Sequence, residues 1–233
     1  MQTVSTALRN AIDAGNPQRV LLDFNGQTFS NEDISLTAGV ELTEEFNSEK
    51  NLAIGLTPSR MISFTMLNDT NQLANFGFGW FTAYLGARID SGTPTERMET
   101  FTEKGQTVTD AFSKLGVFYA ERPDVIAKKT ISVTAYDQMI LLDKDMPTSA
   151  SLSISYPTTI GTIFSKICQG MGITGQSGSF LNDGLEVAEE PDAFKQATVR
   201  KVIGWIAECA CSNALFNREG TLEFSWFSST GKS

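Results

Sequence analysis

Few residues of this chain have the types and spacing that catalysis or metal binding requires. The 233 residues include no histidine, which excludes Ser–His and Cys–His nucleophiles and most metal sites. The three cysteines, Cys168, Cys209 and Cys211, are odd in number and lie in apolar helical stretches, a pattern that predicts buried free thiols in a reducing compartment. We therefore expect no catalytic residue, no metal and no cofactor.

Two short motifs resemble known phosphate-binding sequences only in part. Thr230-Gly231-Lys232-Ser233 lacks the upstream glycine of a P-loop. Phe76-Gly77-Phe78-Gly79 lacks the third glycine of a dinucleotide-binding turn. A carboxylate pair for glycoside hydrolysis stays open among the 27 acids, but no pattern marks such a pair. We predict that the chain is not an enzyme.

The acidic residues are unevenly distributed. The formal net charge is −9, and no Lys or Arg occurs between Asn31 and Glu49, where the sequence holds Glu32, Asp33, Glu41, Glu44, Glu45 and Glu49. Tight nucleic-acid binding needs clustered cations, so it is not expected here. Two interpretations of the acidic run remain open, a solvated face or a surface that repels polyanions.

The densest aromatic segment is Phe76–Ile89, which contains Phe76, Phe78, Trp80, Phe81 and Tyr84. Glycines separate the first three, which predicts that those three side chains share one face of a strand. The segment is either barrel core or a surface for sugar binding or subunit docking.

Apolar periodicity predicts the secondary structure. Four-residue spacing predicts helices over Thr3–Ala14, Thr159–Met171 and Val199–Ala210, and alternation predicts strands through most of residues 18–134. Leu52–Leu56 is predicted as one of these strands. The stretch Leu115–Met146 is predicted as a strand, a loop, a second strand and the short helix Gln138–Leu142, with Asp137 as its structural cap.

These elements predict an α+β fold in two domains. Residues 1–147 form a β-rich domain, and a Ser/Thr-rich stretch after Pro147 marks the boundary. Residues 148–233 form a small α/β domain with two helices and a closing hairpin, Ala214–Phe216 and Leu222–Phe227. No apolar run is long enough to predict a membrane-spanning helix.

The order of four segments resembles the N-terminal part of the phage-tail baseplate-hub and tail-associated (tail-tip) protein family. The segments are RVLLDFNGQTFSNEDISL, NLAIGLTPSRMISFTMLN, GVFYAERP with ISVTAYDQMILLD, and the pair YPTTIGTIFSKICQGMGI and TVRKVIGWIAECACSNALFNREGTLEFSWF. The resemblance rests on their order and spacing rather than on any diagnostic residue.

The resemblance implies a structural protein of a phage or prophage virion. Its N-terminal domain would be a β-barrel-like tube domain, and a homotrimer would form part of a ring that continues the tail tube and passes DNA without specific binding. Partners would be the tail tube and the distal tail or baseplate proteins, with assembly in the bacterial cytoplasm. The further C-terminal domains usual in hub proteins are expected to be absent.

The acidic run and the aromatic segment take specific roles in this interpretation. We expect Glu41, Glu44, Glu45 and Glu49 to line or rim the channel, because a lumen rich in acids does not hold phosphates. The alternative function is a cell-surface glycan-binding β-domain of a phage or bacterial protein, with Trp80, Phe81 and Tyr84 as its stacking platform. Exposure of these aromatic side chains distinguishes the two functions.

Overall fold

The computed structural model describes residues 4–35, 37, 39–44, 53–69, 73, 76–122 and 129–225. The chain divides into two compact units, the first made of Met1–Leu42 and Ile62–Ala135, the second of Thr43–Met61 and Tyr136–Ser233. This division differs from a single boundary at residue 147, because the second unit begins earlier and also includes a segment from the first half of the chain.

The first unit is built on one eight-stranded sheet. Its strands are β1 Gln18–Phe24, β2 Gln27–Phe29, β3 Val40–Thr43, β4 Met61–Leu67, β5 Trp80–Arg88, β6 Arg97–Glu103, β7 Gln106–Ala120 and β8 Thr130–Asp137. The hydrogen-bonded order is β2-β1-β5-β7-β8-β4-β3, and β6 pairs with β7. β7 pairs antiparallel with β5 along most of its length and with β6 along its first half.

The predicted barrel-like closure is not formed by the described residues. The hydrogen-bonded path ends at β2 and β3, and no ladder in the described part of the chain joins these two strands. The first unit is therefore described as an open sheet, and its closure into a tube domain stays a prediction.

The alternating strands bury one side of this sheet. In β4, Ile62, Phe64 and Met66 are buried while the residues between them are half-exposed, and β8 repeats the pattern with every second residue buried. Period-two alternation places these apolar side chains on one face. They join a core with Phe24, Phe81 and Phe118, which accounts for the high Phe content of the chain.

A short helix covers part of the sheet. Helix α1 is Thr6–Asp13, and the Ser5 hydroxyl caps it by accepting a hydrogen bond from the Leu8 N–H at 3.2 Å. The helix is shorter than predicted, and it buries Leu8 and Ala11 against Ala87 of β5 and Ala111 of β7. Small residues at this contact allow the helix to lie close to the strands.

The second unit packs two helices with small sheets. Its elements are a 3-10 helix Gln138–Leu142, β9 Thr158–Thr159, α2 Ile160–Met171, β10 Thr174–Gly175, β11 Glu186–Val187, a 3-10 helix Asp192–Gln196, α3 Val199–Cys209, β12 Asn213–Phe216 and β13 Thr221–Ser225. β10, β13 and β12 form one sheet, and β9 pairs with β11.

Local sequence sets the ends of both long helices. The Thr159 hydroxyl accepts from the Thr162 N–H at 3.2 Å, and the Thr198 hydroxyl accepts from the Lys201 N–H at 3.3 Å. Gly172 ends α2 with a left-handed φ of 65°, a conformation that glycine adopts without steric cost. The apolar stripes of the two helices then meet in the core of this unit.

Residues 53–60 contain no strand, contrary to the strand predicted at Leu52–Leu56, whose first residue lies outside the described residues. The segment instead bonds to the turn after α3 and to β12: the Gly55 N–H donates to the Ser212 carbonyl at 2.8 Å, and the Ala214 N–H donates to the Leu56 carbonyl at 2.9 Å. These bonds explain why this segment belongs to the second unit.

Gly86 of β5 is a position where a side chain does not fit. A Cβ there would lie 2.5 Å from the Ala111 carbonyl oxygen and 2.6 Å from the Phe112 ring. We expect Gly86→Ala to lower the free energy of unfolding by about 2 kcal/mol, because backbone or a buried ring must shift. Gly77→Ala, with no atom within 4 Å of the new Cβ, is the matched control and should change it by less than about 0.5 kcal/mol. Equal effects in urea denaturation would contradict this packing.

Candidate functional site

Two of the four predicted channel acids lie within the described residues. Glu41 is exposed in β3, and Glu44 is exposed just after that strand, with Arg60 at 3.5 Å. Glu45 and Glu49 lie outside the described residues. Glu44 is exposed and the distance to Arg60 is long, so this contact contributes little to stability and gives Glu44 no strong structural role.

Glu41 lies on the side of the sheet that faces away from the Phe-rich core. The neighbouring strands present Ser63, Thr65, Thr130, Ser132 and Thr134 on that side, here named the hydroxyl face. The Thr65 and Ser132 hydroxyls lie 3.3 Å apart. Strands β3, β4 and β8 contain no Lys or Arg, so their side chains offer no cation to a phosphate.

The prediction that Phe76, Phe78 and Trp80 share one face of a strand is wrong for Trp80. Phe76 and Phe78 precede the strand, which begins at Trp80, and both pack with Phe81 in the core. The ring centroids of Phe76 and Phe78 are 4.9 Å apart, whereas Trp80 lies on the other side and contacts Tyr119 at 5.0 Å. The backbone at Gly79, with φ 151°, interrupts the alternation on which the prediction was based.

The stacking platform of the glycan-binding alternative is not formed as predicted. Phe81 is only 2% exposed, so it cannot stack on a sugar together with Trp80. Tyr84 is half-buried, and the Arg97 guanidinium lies 5.1 Å from its ring centroid. The three side chains therefore present no common open surface.

Arg97 belongs to a set of ion pairs that the sequence analysis did not find. On strands β1, β5, β6 and β7 the set, here named the arginine network, comprises Arg19, Arg88, Arg97, Asp23, Glu99, Glu103 and Asp110. The buried Arg19 Nε lies 2.9 Å from Asp110 Oδ2, and its guanidinium carbon lies 4.0 Å from the Phe101 ring centroid. Glu103 pairs with both Arg19 and Arg88.

The electrostatics of the network lower the pKa of two of its carboxyl groups, those of Asp23 and Glu103. Burial raises the pKa of the Asp23 carboxyl, but hydrogen bonds from Arg97 and from the Gly26 N–H outweigh this effect, so the pKa lies below its usual range. A hydrogen bond from Arg88 and the nearby Arg19 likewise lower the pKa of Glu103. Ionised, paired carboxylates are poor proton donors at neutral pH, so the network is suited to holding strands together rather than to acid catalysis.

Asp137 occupies the cap position predicted for it and has further contacts. Its Oδ1 accepts from the Met139 N–H at 3.1 Å and from the Ser59 hydroxyl at 3.0 Å, while Oδ2 lies 3.3 Å from Arg60 Nε. Arg60 Nη2 also donates to the Asn217 carbonyl at 3.1 Å. The buried carboxylate thus connects the 3-10 helix with the 53–61 segment, within the second unit.

The cysteines differ from their predicted burial. Cys168 is buried, which raises the pKa of its thiol to about 12, but Cys209 and Cys211 are exposed. Within the part of the chain that the structure describes, no group of three or more His, Cys, Asp or Glu residues is placed to hold a metal ion. None of the helices there is long and apolar enough to cross a membrane.

The fold described above is similar to that of two tail proteins, one of them from a prophage. One is the 43 kDa tail protein of prophage MuSo2 from Shewanella oneidensis, with 13% identity and a TM-score of 0.50 over 93% of this chain and 57% of that chain. Another is the tail protein from Neisseria meningitidis MC58, with 11% identity and a TM-score of 0.51 over 92% of this chain and 52% of that chain.

At this level of identity the likeness establishes the fold alone. The chain spans little more than half the length of these two tail proteins. No family model and no characterised protein matches the sequence.

The contacts of Asp137 predict a larger effect than a helix cap alone. Asp137→Ala removes the cap, the acceptor of the Ser59 hydroxyl and a buried carboxylate partner of Arg60, so we expect the free energy of unfolding to fall by about 3 kcal/mol. Thr159→Ala, which removes a helix cap without an ion pair, is the matched control and should lower it by about 1 kcal/mol. Equal losses in the two variants would show that the Arg60 contact contributes nothing.

The arginine network predicts acid-sensitive stability. Because the folded-state pKa of Asp23 lies below its unfolded value of about 3.9, its contribution is present above that pH and is lost as the pH falls through the folded-state pKa. Asp23→Asn should therefore lower stability by about 1 kcal/mol at pH 7, and this loss should shrink progressively as the pH falls below about 3.9. Glu32→Gln, at an exposed residue with no ion pair among the described residues, is the control. An Asp23→Asn effect that is independent of pH in urea titrations would argue against the ion pair.

Proposed function

We propose that this chain is a structural component of a phage or prophage tail that forms part of the baseplate hub or tail tip. The observation that carries this proposal is the fold, which matches two tail proteins from different bacteria over more than nine-tenths of this chain. In this role the chain forms a homotrimer around the tail axis, with its first unit as part of a ring that continues the tail tube.

The hydroxyl face supports a role in the passage of DNA. It bears hydroxyls, with the Glu41 carboxylate beside it, and β3, β4 and β8 supply no cation. Sliding DNA needs a wall that does not neutralise phosphates, since each phosphate contact with Lys or Arg increases binding. Glu41 and Glu44 then line or rim the channel, and DNA passes without specific binding.

The remaining parts of the proposal concern partners and chemistry. The chain contacts the tail tube and the distal tail or baseplate proteins, resides in the virion tail and is assembled in the bacterial cytoplasm. It acts without a cofactor and is not an enzyme. The arginine network supports this non-catalytic role, because its charges are used within the sheet of the first unit.

Tail particles provide the direct test. In the bacterium or phage that carries the gene, purified tails should contain this chain at three copies per particle, measured by mass spectrometry against labelled standard peptides. Deletion of the gene should abolish tails that can deliver DNA, and expression from a plasmid should restore them, because a hub or tip is needed to complete the tail.

Infectious particles of normal yield in the deletion strain would contradict the proposal. Cryo-electron microscopy of the tails separates its finer parts. A three-fold ring with Glu41 on the channel wall is expected, whereas Glu41 on the outer surface of the assembly would contradict the channel role and leave the tail role intact.

A further inference from the structure

The second unit contains an open groove that the proposed tail role does not use. It lies between helix α2 and the chain segment 173–184, has a volume of about 720 Å³, and is here named the α2 groove. One wall is formed by Thr162, Ser165 and Gln169, which follow one another at helical spacing on the same side of α2. The opposite wall is formed largely by Gly, Ser and Gln residues of the segment.

Several polar groups of the groove have hydrogen-bonding capacity that the fold leaves unused. Gln176 is held by its Oε1, which accepts from the Phe224 N–H at 2.8 Å, so its amide nitrogen retains two donors. The side chains of Ser165, Gln169 and Ser179 form no hydrogen bond with other described residues. Hydroxyls and amides can both donate and accept, which suits a ligand that is rich in hydroxyls.

One aromatic ring provides an apolar surface beside these polar groups, since Phe180 is half-buried while the neighbouring Phe164 is buried. Phe164 and Phe180 both line the groove, with ring centroids 5.7 Å apart and nearly perpendicular planes. The backbone at Gly175 lies close to α2, because a Cβ there would be 2.8 Å from Cys168 Sγ and 3.0 Å from the Phe164 ring. A ligand with both polar edges and an apolar face matches this combination.

The charge of the groove favours an uncharged ligand. Its lining includes one base, Lys166, and one acid, Asp183, and neither side chain forms an ion pair with other described residues. Opposite single charges give no net field to attract a polyanion or a polycation. A shallow, open and mainly polar groove also differs from the enclosed apolar pockets that bind small cofactors.

We infer that the α2 groove binds a neutral oligosaccharide chain. Hydroxyls of the sugar would bond to Gln169, Gln176 and Ser165, and the C–H face of a ring would pack on Phe180. This inference does not depend on the proposed tail role, and it places glycan binding in the second unit rather than on the aromatic segment Phe76–Tyr84.

Titration of the purified chain with neutral hexasaccharides tests the inference. The probes are chitohexaose, maltohexaose and mannohexaose, and their binding is measured by calorimetry and by NMR chemical-shift changes. A neutral Gly-Ser peptide of similar length represents the competing class of ligand, a peptide. We expect saturable binding of at least one hexasaccharide and none of the peptide, with shift changes at residues 162–184.

A matched pair of variants locates the site. Gln169→Trp fills the α2 groove and should weaken binding at least tenfold, whereas Gln196→Trp, at an exposed residue outside the groove, should leave it unchanged. Circular dichroism and urea denaturation show whether both variants fold. If Gln169→Trp does not fold, Ser165→Tyr serves as a second groove-filling variant. Failure of all three hexasaccharides to bind, preference for the peptide, or full affinity in the folded groove variants would each overturn the inference.

Discussion

The first unit depends on the ladder of strand β7, the longest strand among the described residues. Its antiparallel register with β5 sets Arg88 opposite Asp110, Gly86 opposite Phe112 and Trp80 opposite Tyr119. A shift of one residue would exchange the two faces of the strand and move charged side chains into the Phe-rich core. The register shifts by one residue between Ala83 and Tyr84, so the arginine network and the close contact at Gly86 follow from the register on one side of this shift, and the position of Trp80 follows from the register on the other side.

The second unit depends in a similar way on the Asp137 carboxylate and on the 53–61 segment that it holds. Gly55 carries φ 78°, and its carbonyl oxygen lies 2.9 Å from where a Cβ on Gly204 of α3 would be. Backbone can approach the helix this closely only because Gly204 has no side chain. The adjacent Ser59 and Arg60 then bond to Asp137, so a distant part of the sequence becomes part of this core.

These features are structural, because they hold strands and chain segments in place. The paired charges of the arginine network join strands of one sheet, and strands β3, β4 and β8 supply no Lys or Arg to the hydroxyl face. Specific chemistry is concentrated instead in the α2 groove, where polar groups remain available for a ligand.

The local elements of this fold were predictable from the sequence by itself. The caps at Thr159, Thr198 and Asp137 and the helix end at Gly172 follow from side chains that satisfy backbone groups a few residues away. The buried side of β4 likewise follows from period-two alternation. Each of these depends only on neighbours in the chain, which sequence patterns record directly.

Tertiary structure alone decided the remaining features. The ion pair of Arg19 with Asp110 joins residues 91 positions apart, and the segment around Gly55 joins the second unit through bonds to Ser212 and Ala214. The α2 groove likewise requires a helix and a later loop to lie side by side. Such contacts depend on strand register and on close packing between distant segments, and single-sequence periodicity contains no information about either.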